Sequence, residues 1–243
     1  FVDLPLYLHV ALMLIMYGTF AWRMKTGFET TTNVNLALLG CFASLVWISA
    51  VPNLPVAHEL MHRRGAFERF LANIAATFFF DPHRAIGHVH THHLHFDTEN
   101  DSDTPQRGEK FYQFIWRATK GAYLDTFELE KRRLSVNNKS VWGPSSLVFW
   151  GLVAVFGTPL GIGLYAGVLA GSLTLAVMVT TKFVLEALNY LQHYGLQRVT
   201  SQPIEDRHTW HHFSTMSRIA GVEITNHIDH HRDGFLPFYN LQV

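Results

Sequence analysis

Histidine is the residue type in this chain whose number and spacing predict chemistry, with 16 copies in 243 residues. One cluster is His58-Glu59-Leu60-Met61-His62, and a second is His88-Val89-His90-Thr91-His92-His93. A single His193 follows, and the last cluster is His227-Ile228-Asp229-His230-His231. Imidazole is the commonest metal ligand among side chains, and residues four apart on a helix share a face. The clusters therefore predict a metal site.

Nine of these histidines have the spacing of metal ligands. Nine nitrogen donors suit two metal ions with four or five ligands each, whereas a mononuclear zinc site needs three protein ligands and a water. Imidazole binds zinc, copper, iron and nickel, so the ligand type alone does not select the metal. The predicted ligands are His58, His62, His88, His92, His93, His193, His227, His230 and His231.

The other histidines are predicted to support the site or to face solvent. His90 and His95 are out of phase with the helical face that His88 and His92 share, so we expect them to be outer-shell or solvent-facing residues. His9 and His83 are expected to be structural. For one further cluster a supporting or surface role is favoured and a ligand role stays open: His208, His211 and His212.

Carboxylates near the clusters are predicted to offset the metal charge, because neutral imidazoles do not. They would hydrogen-bond the ligand imidazoles from a second layer. The candidates are Glu59, Asp97, Glu186 and Asp229, of which Glu59 and Glu186 are the candidates for a catalytic role. The sequence HELMH also matches the HExxH pattern of zinc proteases, with Glu59 as the general base. That pattern is short, and it leaves six of the nine histidines without a role.

The elements that carry these clusters are predicted to be membrane helices. Of all residues 48% are hydrophobic and only 16% are charged, against about 25% charged in an average soluble domain. Lys+Arg and Asp+Glu balance at 19 each, so no net field favours a nucleic-acid partner. A bilayer span needs about 20 apolar residues. The candidate spans are residues 4–24, 34–57, 141–157 and 159–190.

The remaining segments also favour an all-α fold. Pro52 and Pro55 are predicted to kink the end of the second span. Residues 67–80 are apolar but too short to cross, which predicts a buried or re-entrant helix, and residues 81–140 are polar with a helix in the aqueous phase around 127–133. We therefore expect an all-α integral membrane domain over residues 1–243, a bundle of transmembrane helices capped by a histidine-rich site. A soluble helical protein with very apolar core helices is the alternative.

The four spans form two hairpins, which predicts that His58, His62 and His193 emerge on one face. Residues 58–140 carry twelve Lys and Arg side chains, and the opposite turn at residues 157–159 carries none. The positive-inside rule therefore predicts that the histidine face lies on the cytoplasmic side of the membrane. We expect this membrane to be a bacterial inner membrane. The substrate is expected to be hydrophobic and to enter from the bilayer, with Phe42, Trp47, Phe183 and Leu185 as possible pocket residues.

The clusters with their neighbours resemble the histidine boxes of the superfamily of membrane alkane hydroxylases, fatty-acid desaturases and xylene monooxygenases. Within it, the resemblance to the xylene monooxygenase hydroxylases is the strongest. It covers nearly the whole chain and rests on specific motifs. These are Pro55-Val56-Ala57-His58-Glu59-Leu60-Met61-His62-Arg63-Arg64, the run from Thr91 through Asp101-Ser102-Asp103-Thr104-Pro105 to Gly108, Asn189-Tyr190 with Gln192-His193-Tyr194-Gly195-Leu196, and Glu223-Ile224-Thr225-Asn226-His227 with His230-His231.

The resemblance implies two irons held by the nine histidines. It implies use of O2 and two electrons to insert one oxygen atom into an unactivated C–H bond, with electrons from an iron–sulfur reductase or a rubredoxin. The expected reaction is methyl hydroxylation of a toluene- or xylene-type hydrocarbon. Terminal alkane hydroxylation and fatty-acyl desaturation are alternatives, and a membrane zinc protease or a metal-transport protein is less favoured. Family members are longer at both ends, so we expect the natural chain to extend beyond residues 1 and 243.

Overall fold

The computed structural model describes residues 2–27, 33–199 and 202–241, and these ranges contain helices and loops but no β-strand. A π-helical turn occupies His88–His92, and short 3-10 turns occupy Asp206–His208 and Phe238–Asn240. The α-helices are α1 (Leu4–Thr26), α2 (Val34–Ala50), α3 (Asn53–Met61), α4 (Ala66–Thr77), α5 (Arg84–Gly87), α6 (His93–His95), α7 (Phe111–Ser135), α8 (Leu147–Ala166), α9 (Val168–His193), α10 (Thr215–Ala220) and α11 (His227–Arg232).

Four helical segments within the described ranges are long and apolar enough to cross a membrane: α1, α2 with α3, α8 and α9. Their outer surfaces are rich in apolar side chains, such as Leu160, Leu164 and Val168, which are exposed at 62%, 80% and 84%. Contiguous apolar surface of this kind marks a membrane or partner contact rather than a water-facing surface. The expected all-α integral membrane fold is confirmed, and the soluble alternative is not supported.

The second span is broken at the prolines, as predicted. Helix α2 ends at Ala50, and α3 begins at Asn53, just after Pro52. Proline lacks a backbone N–H and cannot continue the hydrogen-bond ladder of a helix interior. The Asn53 side chain is fully buried and donates to the carbonyl of Ala75 at 2.9 Å. This bond anchors the start of α3 to α4. A short helix was predicted at residues 67–80, but only its second half is buried, since Phe67 and Phe70 are 57% and 59% exposed.

The expected limits of the third and fourth spans were wrong. Pro159 lies inside α8, and the turn between α8 and α9 is at Gly167, where φ is +97°. Membrane helices tolerate an internal proline because neighbouring helices compensate for the lost hydrogen bond, whereas a positive φ is readily adopted only by glycine. A Cβ on Gly171 would lie 2.7 Å from the Pro159 carbonyl oxygen, so α9 crosses close to α8 at the proline.

Buried charges connect α9 to the segment that leads into the second histidine cluster. The Lys182 ammonium of α9 lies 2.7 Å from Asp81 Oδ2 and 2.6 Å from Glu186 Oε1. Arg84, at the start of α5, lies 2.8 Å from Asp103 Oδ2 and 3.6 Å from Asp81 Oδ2. All five side chains are buried. Such ion pairs are retained only when their partners compensate for lost hydration, so this network holds α5 and α9 in a fixed relation.

Replacing Lys182 by Met should destabilise the fold, because Asp81 and Glu186 would lose their buried cation. Removal of one partner of a buried pair costs about 3–5 kcal/mol. We expect a clear fall in the unfolding midpoint of the purified protein, measured by helical circular dichroism. Lys131→Met is the matched control, since Lys131 pairs with Glu128 on the surface at 3.6 Å. Equal midpoints for the two variants would contradict a stabilising role for the network.

Candidate metal centre

Five elements bring the nine predicted ligand histidines to one end of the helical bundle. Helix α3 carries His58, and His62 follows its last residue. His193 is the last residue of α9, and the short helix α11 begins with His227. The second cluster lies on the π-helical turn and the start of α6. The expectation that His58, His62 and His193 share one face agrees with this arrangement.

The π-helical turn decides which histidines of the second cluster meet. The His93 N–H bonds to the His88 carbonyl, five residues back. In an α-helix, residues five apart point about 140° away from each other, whereas the wider π turn brings them near the same face. His88 Nε2 and His93 Nε2 are 3.3 Å apart. The four-residue spacing suggested that His88 and His92 bind together, but the structure places His92 in a different group.

The first histidine group has ring nitrogens that all lie within 4.8 Å of one another. In this group His58 Nε2 lies 2.9 Å from His88 Nε2, and His230 Nε2 lies 3.0 Å from His93 Nε2. The ring centroids of His62 and His93 are 4.6 Å apart. The group contains no carboxylate, and its members are His58, His62, His88, His93 and His230.

The second histidine group obeys the same distance limit. His227 is at its centre, since its Nε2 lies 3.1 Å from His193 Nε2 and 3.1 Å from His231 Nε2. All four members are buried, and they are His92, His193, His227 and His231. The two groups adjoin each other, with the rings of His93 and His231 4.7 Å apart between centroids.

These distances fit metal coordination better than hydrogen bonding. Two nitrogens bound at right angles to one metal, each at about 2.1 Å, lie about 3.0 Å apart. A ring nitrogen holds either one proton or one lone pair in the ring plane, so it forms one strong hydrogen bond. His88 Nε2 faces both His58 and His93. A cation shared by the facing lone pairs satisfies every nitrogen at once, so the donor set fits a metal ion in each group.

Burial holds most of these imidazoles in the neutral form that metals require. Burial, reinforced by the neighbouring histidines, moves the pKa of His88, His93 and His230 well below the ordinary value. The same causes lower the pKa of His62 to about 3. In the second group burial, followed by the charge of neighbouring histidines, likewise lowers the pKa of His227.

Two aspartates hydrogen-bond to imidazoles of the second histidine group and orient them. The Nδ1–H of His193 donates to Asp97 Oδ1 at 2.9 Å, and that of His92 donates to Asp101 Oδ2 at 2.7 Å. Burial lowers the pKa of His92, but the Asp101 carboxylate outweighs this and raises it above the ordinary value. A carboxylate at Nδ1 fixes the tautomer and aims the Nε2 lone pair at the metal.

Asp97 was among the candidate carboxylates in the sequence, but Asp101 was not. The sequence feature that could have identified Asp101 is its position in the acidic run Asp101-Ser102-Asp103, shortly after the second cluster. Asp101 is buried and also accepts from Thr104 Oγ1 at 2.6 Å and from the Asp103 N–H at 3.0 Å. These two hydrogen bonds fix the orientation of the Asp101 carboxylate, so that it faces His92.

The other candidate carboxylates have partners outside the two histidine groups. Glu59 lies 2.8 Å from the Arg63 guanidinium and accepts from the Phe238 N–H at 3.2 Å. Glu186 accepts from Asn189 Nδ2 at 3.1 Å, besides its contact with Lys182. Asp229 accepts from Arg232 Nη1 at 3.2 Å. Their roles at the metal centre stay predictions.

The remaining histidines lie outside both groups. His90 is exposed and His95 is half-buried, as their phase suggested. The His83 imidazole lies 3.0 Å from the Val148 carbonyl of α8. His208 is buried, and its Nδ1 accepts from the Glu205 N–H at 2.9 Å. His211 and His212 line a cavity beside the metal centre.

That cavity has a volume of about 260 Å³ and touches both histidine groups. Its wall includes His58 and His88 of the first group and His227 of the second. Leu185 lines it, as suggested from the sequence, while the lining residues do not include Phe42, Trp47 or Phe183. Its surface is mainly apolar, with side chains that include Leu54, Met61, Phe79, Leu185, Leu188 and Ile224.

Asp101→Asn should weaken metal binding, because the amide keeps the size of the carboxylate but not its charge. Loss of a partner of a ligand histidine typically costs about 10- to 100-fold in metal affinity or activity. The measurement is iron affinity by competition with a chelator. Asp125→Asn is the control, since Asp125 accepts from Ser102 Oγ at 3.1 Å. Equal affinities in both variants would show that Asp101 does not support a ligand.

Removal of single histidines separates ligands from neighbours within one cluster. His92→Ala should lose most bound metal, because His92 is buried in the second histidine group. His90→Ala should keep it, because His90 is exposed. Metal content of both purified variants, determined by elemental analysis, is the readout. A site emptied to the same extent by His90→Ala would exclude this division of the cluster.

The chain is similar in sequence to a known protein family and to curated members of it. Residues 33–242 match the sequence profile of the fatty acid desaturase family. The chain is 42% identical over 242 residues, all of its length, to the xylene/toluene monooxygenase hydroxylase component XylM of Pseudomonas putida, and covers 65% of that protein.

More distant relatives are alkane monooxygenases. Identity is 25% over 240 residues to alkane 1-monooxygenase 1 of Pseudomonas aeruginosa, with 97% of this chain and 63% of the relative covered. It is 28% over 233 residues to alkane 1-monooxygenase of Acinetobacter baylyi, with 90% and 53% covered. The chain thus spans less than two thirds of the length of these curated relatives.

Proposed function

We propose a function on the premise that this chain belongs to the fatty acid desaturase family. The chain is the metal-binding part of a membrane di-iron monooxygenase that hydroxylates the methyl group of a small hydrocarbon of the toluene or xylene type. O2 and two electrons are consumed for each turnover. The observation that carries this proposal is the apolar cavity that touches both all-histidine groups.

Two irons suit the donor set. The first histidine group would hold one iron with five nitrogens and the second would hold the other with four. Bound iron supplies the activation of O2, chemistry that protein side chains cannot perform. The histidines and their two aspartates supply a fixed ligand geometry, which Asp97 and Asp101 maintain through Nδ1 of His193 and His92.

The cavity is suited to a small apolar substrate. Leu54, Met61 and Leu185 would contact the hydrocarbon, while His58 and His88 form the wall toward the metals. An apolar wall favours a hydrocarbon over water at the reacting centre, which limits side reactions. Identity of 42% to a xylene/toluene monooxygenase component supports an alkylbenzene. The alkane monooxygenase relatives support terminal alkane hydroxylation as the second candidate.

The histidine face is assigned to the cytoplasm, with the protein in a bacterial inner membrane. Residues 58–140, which include the first two histidine clusters and lie between α3 and α8, carry twelve Lys and Arg side chains. At the opposite end, α1 closes with Arg23 and Lys25, and the Lys25 ammonium lies 4.1 Å from the Tyr165 ring centroid of α8. The excess of positive charge on the histidine side supports this orientation. A separate iron–sulfur reductase or rubredoxin would then deliver the electrons from the cytoplasm.

A zinc protease remains less favoured. Its general base would be Glu59 acting on a metal-bound water, but Glu59 is engaged by Arg63 and by the Phe238 N–H. A single zinc site also leaves most of the two histidine groups unused.

Product and metal analysis from one preparation tests the proposal. Membranes that contain the protein and a matching NADH-driven donor are supplied with toluene, p-cymene and octane. We expect hydroxylated methyl products that require O2, two irons per chain, and loss of both product and iron in His193→Ala. One zinc per chain, or peptide cleavage that depends on Glu59 and not on O2, would overturn the assignment.

A further inference from the structure

A tight turn formed by residues 233–236, which we call the roof turn, covers two members of the first histidine group. The Phe235 N–H donates to Asp233 Oδ1 at 3.0 Å, and the Leu236 N–H donates to the Asp233 carbonyl at 3.0 Å. Gly234 lies directly on the ligands. A Cβ at this position would be 2.9 Å from His93 Cε1 and 3.3 Å from His62 Nδ1, so the backbone itself covers the two rings.

The roof turn leaves the first histidine group partly exposed. His93 is half-buried, whereas the other eight histidines of the two groups are buried. Phe235 is 53% exposed, and its ring centroid lies 6.5 Å from that of His62. An exposed aromatic ring therefore connects the protein surface to a ligand of the first histidine group.

The apolar cavity reaches the metal centre from another side. Its wall contains His58, His88 and His227, but not His62 or His93. A molecule placed on the roof turn would not compete with a hydrocarbon in the cavity. The histidine groups thus have one approach for an apolar ligand and a separate approach at the surface.

Positive charge borders the roof turn, which itself carries the exposed carboxylate of Asp233. The Arg64 guanidinium lies 5.3 Å from the Phe235 ring centroid, and the neighbouring Arg69 donates to the Arg64 carbonyl at 2.5 Å. Both arginines are exposed, and neither has a carboxylate within ion-pair distance among the described residues. Arg63 differs, because Asp3 and Glu59 neutralise it at 2.6 and 2.8 Å.

We infer that the roof turn with Arg64 and Arg69 is the docking surface for an acidic iron–sulfur protein, which passes electrons to the metals over the edge formed by His62 and His93. This inference rests on the proposed monooxygenase function. Aromatic and arginine side chains dominate the binding energy of protein interfaces. Complementary charges around such a site mainly increase the association rate and orient the partner. Electron transfer also requires a short path, and His93 is the one member of the two histidine groups that is only half-buried.

Charge reversal at Arg64 tests this surface. The iron-loaded protein is placed in nanodiscs of phosphatidylcholine alone, so that no anionic headgroup is present. The protein donor is a soluble acidic [2Fe–2S] reductase with NADH, and dithionite with methyl viologen is the small donor. Arg64→Glu should raise the KM for the protein donor about tenfold at low salt. Iron content should stay unchanged, and so should the product of a single turnover in which dithionite with methyl viologen reduces the protein without O2, the excess reductant is removed and O2 is then added, because a small reductant needs no docking surface.

Conservative and distant variants complete the design. Arg64→Lys should behave nearly as the unmutated protein, and Arg69→Glu should repeat the defect. Arg132→Glu is the matched control, since Arg132 is exposed near the end of α7. An unchanged KM in both Arg64→Glu and Arg69→Glu would overturn the inference. So would a defect that appears only in nanodiscs with anionic lipid, which would assign the arginines to headgroups.

Direct binding separates this inference from the proposed function. Affinity of the oxidised [2Fe–2S] reductase for the nanodisc-held protein is measured without turnover, and Arg64→Glu should weaken it about tenfold, more at low than at high salt. If no hydrocarbon is oxidised with either donor, the proposed function fails while this measurement still decides the surface. If oxidation proceeds with dithionite but the reductase neither binds nor supports turnover, the surface assignment fails alone.

Discussion

Facing lone pairs of buried imidazoles are the constraint on which the structure depends. Nε2 atoms of different histidines approach to between 2.9 and 3.3 Å in both groups, and a neutral ring cannot donate to several neighbours at one nitrogen. Protonation would place like charges side by side in a buried site, which costs far more. A shared cation is the arrangement that resolves this conflict. Helices α3, α9 and α11 and the π-helical turn must therefore all meet at one place.

The carboxylates that compensate the charge of this site lie one layer outside the two histidine groups. Neither histidine group contains a carboxylate, unlike the glutamate-rich centres of soluble di-iron bundles. The nearest negative charges are Asp97 and Asp101, which act through His193 and His92. Behind them, Lys182 and Arg84 hold further carboxylates in a buried network. Ligands that carry no charge would leave a bound metal more positive, and the acidic second layer offsets that charge without occupying coordination positions.

Much of this arrangement follows from the sequence, because its causes are local. Length and hydropathy predicted four membrane helices, and the ligand spacing selected the nine histidines that the structure brings together. The grouping of His88 with His93 was not predictable from an α-helical period, since it requires a π-helical turn. The turn at Gly167 was missed because the turn was expected at residues 157–159, which include Pro159, although a membrane helix accommodates an internal proline. Asp101 was missed because its partner is defined by the folded loop and not by helical spacing.

Iron K-edge X-ray absorption of the purified, iron-loaded protein tests the two all-histidine groups most directly. Groups of five and four imidazoles predict a first shell of nitrogen donors that averages between four and five per iron, with the outer-shell scattering typical of imidazole rings. A first shell dominated by carboxylate oxygen, or one with only two or three imidazoles per iron, would contradict them.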